Sequence, residues 1–181
     1  MPDNSDSIGL AERRGLESDE PEPPRGLTLD VVREEGDWSQ FEPIETAFAA
    51  AADALARHLD VPVCEAAVAL SSDARVKELN RTYRDKDKPT NVLSFPASPE
   101  GSPPEGPQYL GDIVFAAETV AREAVEQDKL PPHHLQHLLI HGLLHLLGYD
   151  HETDEQAAEM EALEVEILAD LGIADPYAGE A

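Results

Sequence analysis

The spacing of hydrophobic residues changes several times along the chain, and each spacing predicts a secondary-structure element. Leu27, Leu29 and Val31 alternate with polar neighbours, a period of two that predicts a first strand. Residues 43–59 are rich in Ala and Leu at helical spacing and predict a first helix. The apolar run 64–70 predicts a second strand.

Further elements are predicted downstream, some of them bounded by capping residues, Gly or Pro. Ser71-Ser72-Asp73 offers N-cap chemistry for a helix, Pro96 closes a strand, and Gly148 stops a strongly apolar helix. The predicted bounds are 73–83, 116–126, 133–147 and 154–171 for helices, and 91–95 and 109–115 for strands. This order predicts an α/β (α+β) fold in which about five helices pack on a small mixed sheet of about four strands.

The chain has the length of one domain with a tail at each end. Its 181 residues are enough for one substantial core and too few for two. Residues 1–26 are acidic and rich in Ser, Gly and Pro, so we expect a disordered tail. Residues 27–172 are predicted to form a single catalytic metal-binding domain, and 173–181 a C-terminal tail. The Pro- and Gly-rich stretch 98–107 is long for a loop, which predicts a mobile or functional segment.

Charge and cysteine content limit the class of protein. The formal net charge is −25, and such a surface repels nucleic acid at long range. We hypothesise that it reflects a salty cytoplasm, in which acidic surfaces stay dissolved. Cys64 is the only cysteine, which excludes an intrachain disulfide and a thiolate metal cluster, and we interpret it as a small buried hydrophobe. No apolar run approaches the roughly 18 residues that cross a bilayer, so we expect a cytoplasmic protein that does not bind membranes.

Three histidines in one short stretch predict a metal site at the end of the apolar helix. His141 and His145 are four residues apart, so both imidazoles project from one helix face. Gly148 lets the backbone reverse, and His151 then returns over the same ion. Burying three imidazoles without a metal would leave polar nitrogens unpaired at roughly 1–3 kcal/mol each. The spacing therefore predicts one Zn²⁺ per chain, bound by His141, His145 and His151.

Other histidines of the same helix are predicted to have different roles. The Cα of His137 should lie about 12 Å from that of His145, so we predict that His137 packs nearby or supports a ligand. His133 and His134 are predicted to lie on the surface at the start of the helix.

The residue after the first histidine separates two kinds of hydrolase. The pattern H-x3-H-x5-H, with Gly148 seven residues after His141, matches the metzincin proteases in its His and Gly positions. Those proteases carry a Glu general base where this chain has Gly142, so a peptidase would need another base, such as Asp112. Three neutral ligands and an open fourth position still favour a hydrolase that activates water, with His141 among its catalytic residues.

Positive charge is concentrated in one stretch of this acidic chain. Residues 75–88 hold six of the 13 basic residues. One interpretation is an anion site beside the zinc, in which the planar fork of Arg84 binds phosphate oxygens. The other is a solvated helix face that neighbouring acidic residues balance. The six basic residues are Arg75, Lys77, Arg81, Arg84, Lys86 and Lys88.

Acidic residues dominate the last predicted helix. We interpret them as a solvated face over an apolar stripe of Met160, Leu163, Ile167 and Leu171, without a metal role. These acidic residues are Glu152, Asp154, Glu155, Glu159, Glu161, Glu164, Glu166 and Asp170.

The segment from His141 to His151, HGLLHLLGYDH, resembles the zinc signature of the bacterial YbeY endoribonucleases. Segments 79–84 (LNRTYR), 90–96 (TNVLSFP) and 111–113 (GDI) resemble other segments of this family in the same order. The resemblance implies an endoribonuclease that cleaves single-stranded RNA in 16S rRNA 3′-end maturation and ribosome quality control. It also implies partners in the small ribosomal subunit and among its assembly factors.

The resemblance assigns zinc binding to the three histidines and an important role near the metal to Arg84, while Lys86 is a further candidate for contact with the RNA backbone. We hypothesise that activated water, or the RNA 2′-OH, attacks a phosphodiester while Arg84 neutralises charge growing on the phosphate. Two other classes stay open. These are a metallopeptidase and a noncatalytic ribosome-assembly factor whose structural zinc would have a fourth protein ligand.

Overall fold

The computed structural model describes residues 26–98 and 106–178, which form one mixed sheet with helices on both faces. Its strand order is β1–β2–β4–β3. The strands are β1 (Leu27–Arg33), β2 (Cys64–Ser71), β3 (Val92–Pro96) and β4 (Gln108–Ala116). The helices are α1 (Ile44–Leu59), α2 (Asp73–Arg84), α3 (Ala117–Glu126), α4 (Pro131–Leu146) and α5 (Asp154–Asp170). The predicted α/β class, with four strands and five α-helices in these residues, is confirmed.

Strand direction makes the sheet mixed. Strand β1 runs parallel to β2, and β2 runs parallel to β4, because helical connections separate these strands along the chain. Strand β3 is antiparallel to β4 and forms the edge beside it. In β4 an extra residue shifts the register, so that Glu65 pairs with Tyr109 and Ala66 with Gly111. A side chain at Gly111 would collide with the carbonyl oxygen of Phe95, which explains the glycine at this bulge.

Alternate residues of β4 build two hydrophobic clusters on opposite faces of the sheet. Ile113 and Phe115 belong to the main core, which α1 and α4 help to form. Val114 belongs to a smaller cluster with Val76 of α2 and Leu93 of β3. The period of two in this strand therefore assigns α4 and α2 to opposite faces of the sheet.

Helix α4 is buried on nearly all sides, as a helix that is apolar all round should be. It also buries His134, of which only 3% is exposed. The prediction that His134 lies at the surface is therefore wrong, because its ring contacts Glu123 of α3 and the ring of His137 instead of facing water. His133 is half-buried.

Packing continues beyond residue 172, where the sequence boundary was placed. Ile173 is buried in the main core, and the Tyr177 hydroxyl reaches a buried carboxylate of α5. Residues 1–25 of the predicted tail 1–26, residues 99–105 of the predicted loop 98–107, and residues 179–181 of the predicted C-terminal tail lie outside the described residues. Among the helices that are described, none is both long enough and apolar enough to cross a membrane.

Candidate functional site

The C-terminal end of α4 forms a tight reversal that brings three histidines together. Gly148 has φ +102°, in the left-handed region that glycine tolerates. The backbone N–H of Gly148 donates to the carbonyl of His145 at 3.0 Å, and that of Tyr149 donates to the carbonyl of Leu144 at 3.0 Å. This pair of bonds is the Schellman motif, and it turns the chain so that His151 reaches the helix face bearing His141.

Hydrogen bonds at Nδ1 fix which nitrogen of each helical histidine is free to bind a metal. Nδ1 of His145 lies 3.0 Å from the carbonyl oxygen of Tyr149, which can only accept, so Nδ1 carries the proton. Nδ1 of His141 lies 3.2 Å from Oε2 of Glu164 and donates in the same way. Both Nε2 atoms are therefore left with a lone pair. Burial and, after it, the neighbouring His141 lower the pKa of His145, which favours the neutral form that metals bind.

The free nitrogens fit a metal ion. The two Nε2 atoms lie 3.1 Å apart, and two lone pairs at that distance cannot hydrogen-bond each other. A cation between them satisfies both. One ligand atom from each of His141, His145 and His151 lies within 4.8 Å of the others. These three side chains form the group of candidate metal ligands in the described residues, and they can hold one ion.

The three histidines open onto a cleft of about 680 Å³. His141 and His145 are half-buried, whereas His151 is exposed. Arg84 and Asn91 line the same cleft. No fourth protein ligand closes the group among the described residues, so one side of a bound ion would face the cleft and a substrate.

Glu164 is a buried residue that hydrogen-bonds the candidate ligand His141, a role that the sequence interpretation did not foresee. It has no exposed surface, and its carboxylate accepts from His137 Nε2 at 2.5 Å as well as from His141. Burial alone would raise its pKa, but the hydrogen bonds from His137 and His141 outweigh burial and lower the pKa of Glu164 to about 2. The prediction of a solvated Glu164 is wrong. The available signal was its spacing, because Glu164 lies four residues after Met160 and three before Ile167, within the apolar stripe.

His137 is buried and bonded to Glu164, so it lies near the site without belonging to the group of candidate ligands. That position agrees with the prediction of packing or support.

Arg84 lies at the C-terminal end of α2, facing the same cleft as the histidines. Its Nη2 donates to the carbonyl oxygen of Ser94 at 2.6 Å, and its guanidinium lies 5.5 Å from the centre of the Phe95 ring. These contacts hold the guanidinium in place while the side chain remains exposed, so its other N–H groups can reach an anion. Lys86 is exposed and is not among the residues that line the cleft.

Helix α4 and the sheet approach too closely at Gly142 for a protease-type base. A Cβ there would lie 3.1 Å from Cδ1 of Ile113 and 3.2 Å from Oγ of Ser94. Asp112 cannot replace that base, because it precedes Ile113 in β4 and therefore points to the opposite face of the sheet. Its carboxylate accepts a hydrogen bond from Tyr109 there. The geometry thus disfavours a metallopeptidase.

Asn91 lines the cleft and is a further residue that the sequence interpretation missed. Its side-chain amide donates to the Glu123 carboxylate at 2.9 Å, and Glu123 also lies 3.0 Å from Nε2 of the buried His134. Burial alone would raise the pKa of Glu123, but hydrogen bonds from His134 and Asn91 lower it overall. Helices α3 and α4 thereby fix the orientation of an amide at the cleft wall.

Fold and site together define an α/β domain with three histidines that could hold one metal ion and that open onto a cleft. The chain belongs to the endoribonuclease YbeY family, whose family model matches residues 33–172. This range includes Arg84 and all three histidines. The family assignment made from the motif segments is confirmed.

Several close relatives carry the same family name. Endoribonuclease YbeY of Azorhizobium caulinodans is 55% identical over 157 residues, covering 84% of this chain and 97% of the relative. Endoribonuclease YbeY of Bradyrhizobium diazoefficiens is 57% identical over 160 residues, covering 84% and 86%. A Thermotoga maritima protein solved in solution has a TM-score of 0.54 at 26% identity, covering 80% of this chain and 92% of the other. Sequence and fold therefore agree over most of the chain.

Proposed function

We propose that this protein is a zinc-dependent endoribonuclease that cleaves single-stranded RNA. His141, His145 and His151 bind the zinc, and Arg84 binds the phosphate at the cleavage site. The supporting observation is that Arg84 and the three histidines line one cleft in a chain of the endoribonuclease YbeY family. We further propose, from the family resemblance, that the substrate is the 3′ end of 16S rRNA and that the partners are the small ribosomal subunit and its assembly factors. Lys86 contacts the RNA backbone outside the cleft.

Metal binding, orientation of the metal ligands and phosphate binding are carried out by different residues of the chain. Zinc held by three neutral imidazoles supplies a Lewis acid that can activate water or polarise a phosphate oxygen. The carbonyl of Tyr149 and the carboxylate of Glu164 keep the ligand nitrogens of His145 and His141 unprotonated. Arg84, positioned by Ser94 and Phe95, binds the scissile phosphate and neutralises the charge that grows on it during displacement.

The experiment measures cleavage of a single-stranded RNA by purified protein, with zinc or with a chelator, over a range of salt concentrations. Arg84→Ala is compared with Arg81→Ala, which removes the same charge from an exposed position of the same helix outside the cleft. Zinc content is measured for each variant. We expect chelation to abolish cleavage and Arg84→Ala to lower the rate by about 10²–10³ with zinc retained, as for loss of a group that stabilises transition-state charge. Arg81→Ala should cleave as wild type does.

Each alternative has its own outcome. Equal rates for Arg84→Ala and Arg81→Ala would contradict the role of Arg84, and cleavage in excess chelator would contradict metal dependence. A zinc-loaded wild type that cleaves RNA at no salt concentration would favour the noncatalytic assembly factor. Products ending in a 2′,3′-cyclic phosphate would identify the RNA 2′-OH as the nucleophile in place of water.

A further inference from the structure

The buried carboxylate of Glu164 accepts hydrogen bonds from two groups besides the candidate ligand His141. Glu164 accepts from His141 on Oε2, but on Oε1 it accepts from both His137, at 2.5 Å, and the Tyr177 hydroxyl, at 2.7 Å. Oε1 is thus held by two donors from different parts of the chain. A carboxylate held at one oxygen cannot rotate freely about its Cγ–Cδ bond, so Oε2 stays directed at His141 Nδ1.

The third donor comes from a segment beyond the last helix. After α5 the chain reverses at Gly172, φ +74°, and the N–H of Ile173 donates to the carbonyl of Leu168 at 3.0 Å. Ile173 then packs into the main core, while the N–H of Tyr177 donates to Oδ1 of Asp175 at 2.8 Å. Ile173 therefore fixes the start of the segment to the domain, and the Tyr177 hydroxyl fixes its end to Glu164. Tyr177 lies five residues past the range that the family model matches.

Tyr177 makes two kinds of contact, ring packing and hydrogen bonds, and a substitution can remove one without the other. Its ring meets the His137 ring edge-on, with 5.6 Å between ring centres. That contact fills space and needs no hydroxyl. The hydroxyl group touches Glu164 and, at 3.3 Å, His137 Nε2, which already shares Oε1 of Glu164. Removing only the hydroxyl therefore loosens the carboxylate and leaves the ring packing in place.

We propose that Tyr177 is a positioning residue of the metal centre, which acts through Glu164 to hold His141 in the orientation and tautomer that bind the ion. The segment 173–178 is then a part of the metal site. Partners of metal-binding histidines commonly change metal affinity by 10–100-fold when they are removed. The proposal rests on the proposed metal site and does not depend on RNA cleavage.

The test measures Zn²⁺ affinity of the full-length chain by competition with a chromophoric chelator, and the stability of the metal-free protein by urea denaturation. Tyr177→Phe is compared with Tyr83→Phe, which loses a hydroxyl from a residue that is 67% exposed and does not line the cleft of the histidines. We expect Tyr177→Phe to weaken Zn²⁺ binding about tenfold and Glu164→Gln about 100-fold, with Tyr83→Phe unchanged. The visible absorption of Co²⁺-substituted protein should shift in Tyr177→Phe and not in Tyr83→Phe.

A merely structural role gives a different result. Tyr177→Phe would then lower the stability of the metal-free protein while Zn²⁺ affinity and the Co²⁺ spectrum match the wild type, and this outcome overturns the proposal. Because affinity is measured without RNA, a wild type that binds zinc but cleaves no RNA would contradict the proposed function alone.

Discussion

The close approach of α4 to the sheet at Gly142 predicts how this position responds to larger side chains. Gly142→Ala gains about 1 kcal/mol of helix propensity, whereas contacts of 3.1 and 3.2 Å to Ile113 and Ser94 require these side chains to shift, at about 1–3 kcal/mol. We expect a net loss of about 0–2 kcal/mol. Gly142→Glu introduces the residue that zinc proteases carry at this position. It adds an unpaired carboxylate against the buried Ile113 and should lower the free energy of unfolding by at least about 4 kcal/mol.

The assay is urea denaturation of the metal-free proteins at pH 7. Ala162→Glu, at an exposed position of α5, is the matched control that adds the same side chain without a packing cost. A loss of about 4 kcal/mol is a large part of the 5–15 kcal/mol that keeps a typical domain folded, so Gly142→Glu should be partly unfolded even without urea. A free energy of unfolding for Gly142→Glu within about 1 kcal/mol of the control would refute the reasoning.

Three other predictions concern stability and reactivity. Leu139→Ala, in the main core and without exposed surface, should lower the free energy of unfolding by about 2–5 kcal/mol in urea denaturation, and a loss under about 1 kcal/mol would contradict the described packing. Burial raises the pKa of the Cys64 thiol, so thiol reagents should label it only as fast as the protein unfolds, and faster labelling would show that the residue is accessible. Glu123→Gln should destabilise the protein at neutral pH, because hydrogen bonds from His134 and Asn91 stabilise the charged form. The pKa of Glu123 in the folded protein lies below its ordinary value of 4.5, so the stability difference between wild type and Glu123→Gln should be fully present above pH 4.5 and shrink as the pH falls through the folded pKa. A stability difference that stays constant over this pH range would contradict the pairing.

Patterns that depend on one element could be predicted from the sequence. The period of two in β1 and the helical spacing in α1 follow from which faces are buried, so their positions agree with the structure to within two residues. The histidine group could also be predicted, since the spacing of His141 and His145 on a helix and the reversal at Gly148 are local properties.

Contacts between elements could not be predicted in the same way. A helix with many acidic residues does not reveal which carboxylate faces inward until its partners are known, and the donors to Glu164 come from α4 and from the C-terminal segment. The orientation of Asn91 likewise depends on Glu123, 32 residues away. These residues were missed because their roles arise from tertiary packing.

The partial exposure of the three histidines has a consequence for how the protein responds to metal supply. His141 and His145 are half-buried and His151 is exposed, so none of the three fills the core, and hydrogen bonds to protein atoms already orient two of them. Small zinc-finger domains, in contrast, unfold when zinc is withdrawn. Here starvation for metal should produce a folded, inactive reserve that resists proteolysis and regains activity on reloading, without new synthesis or refolding.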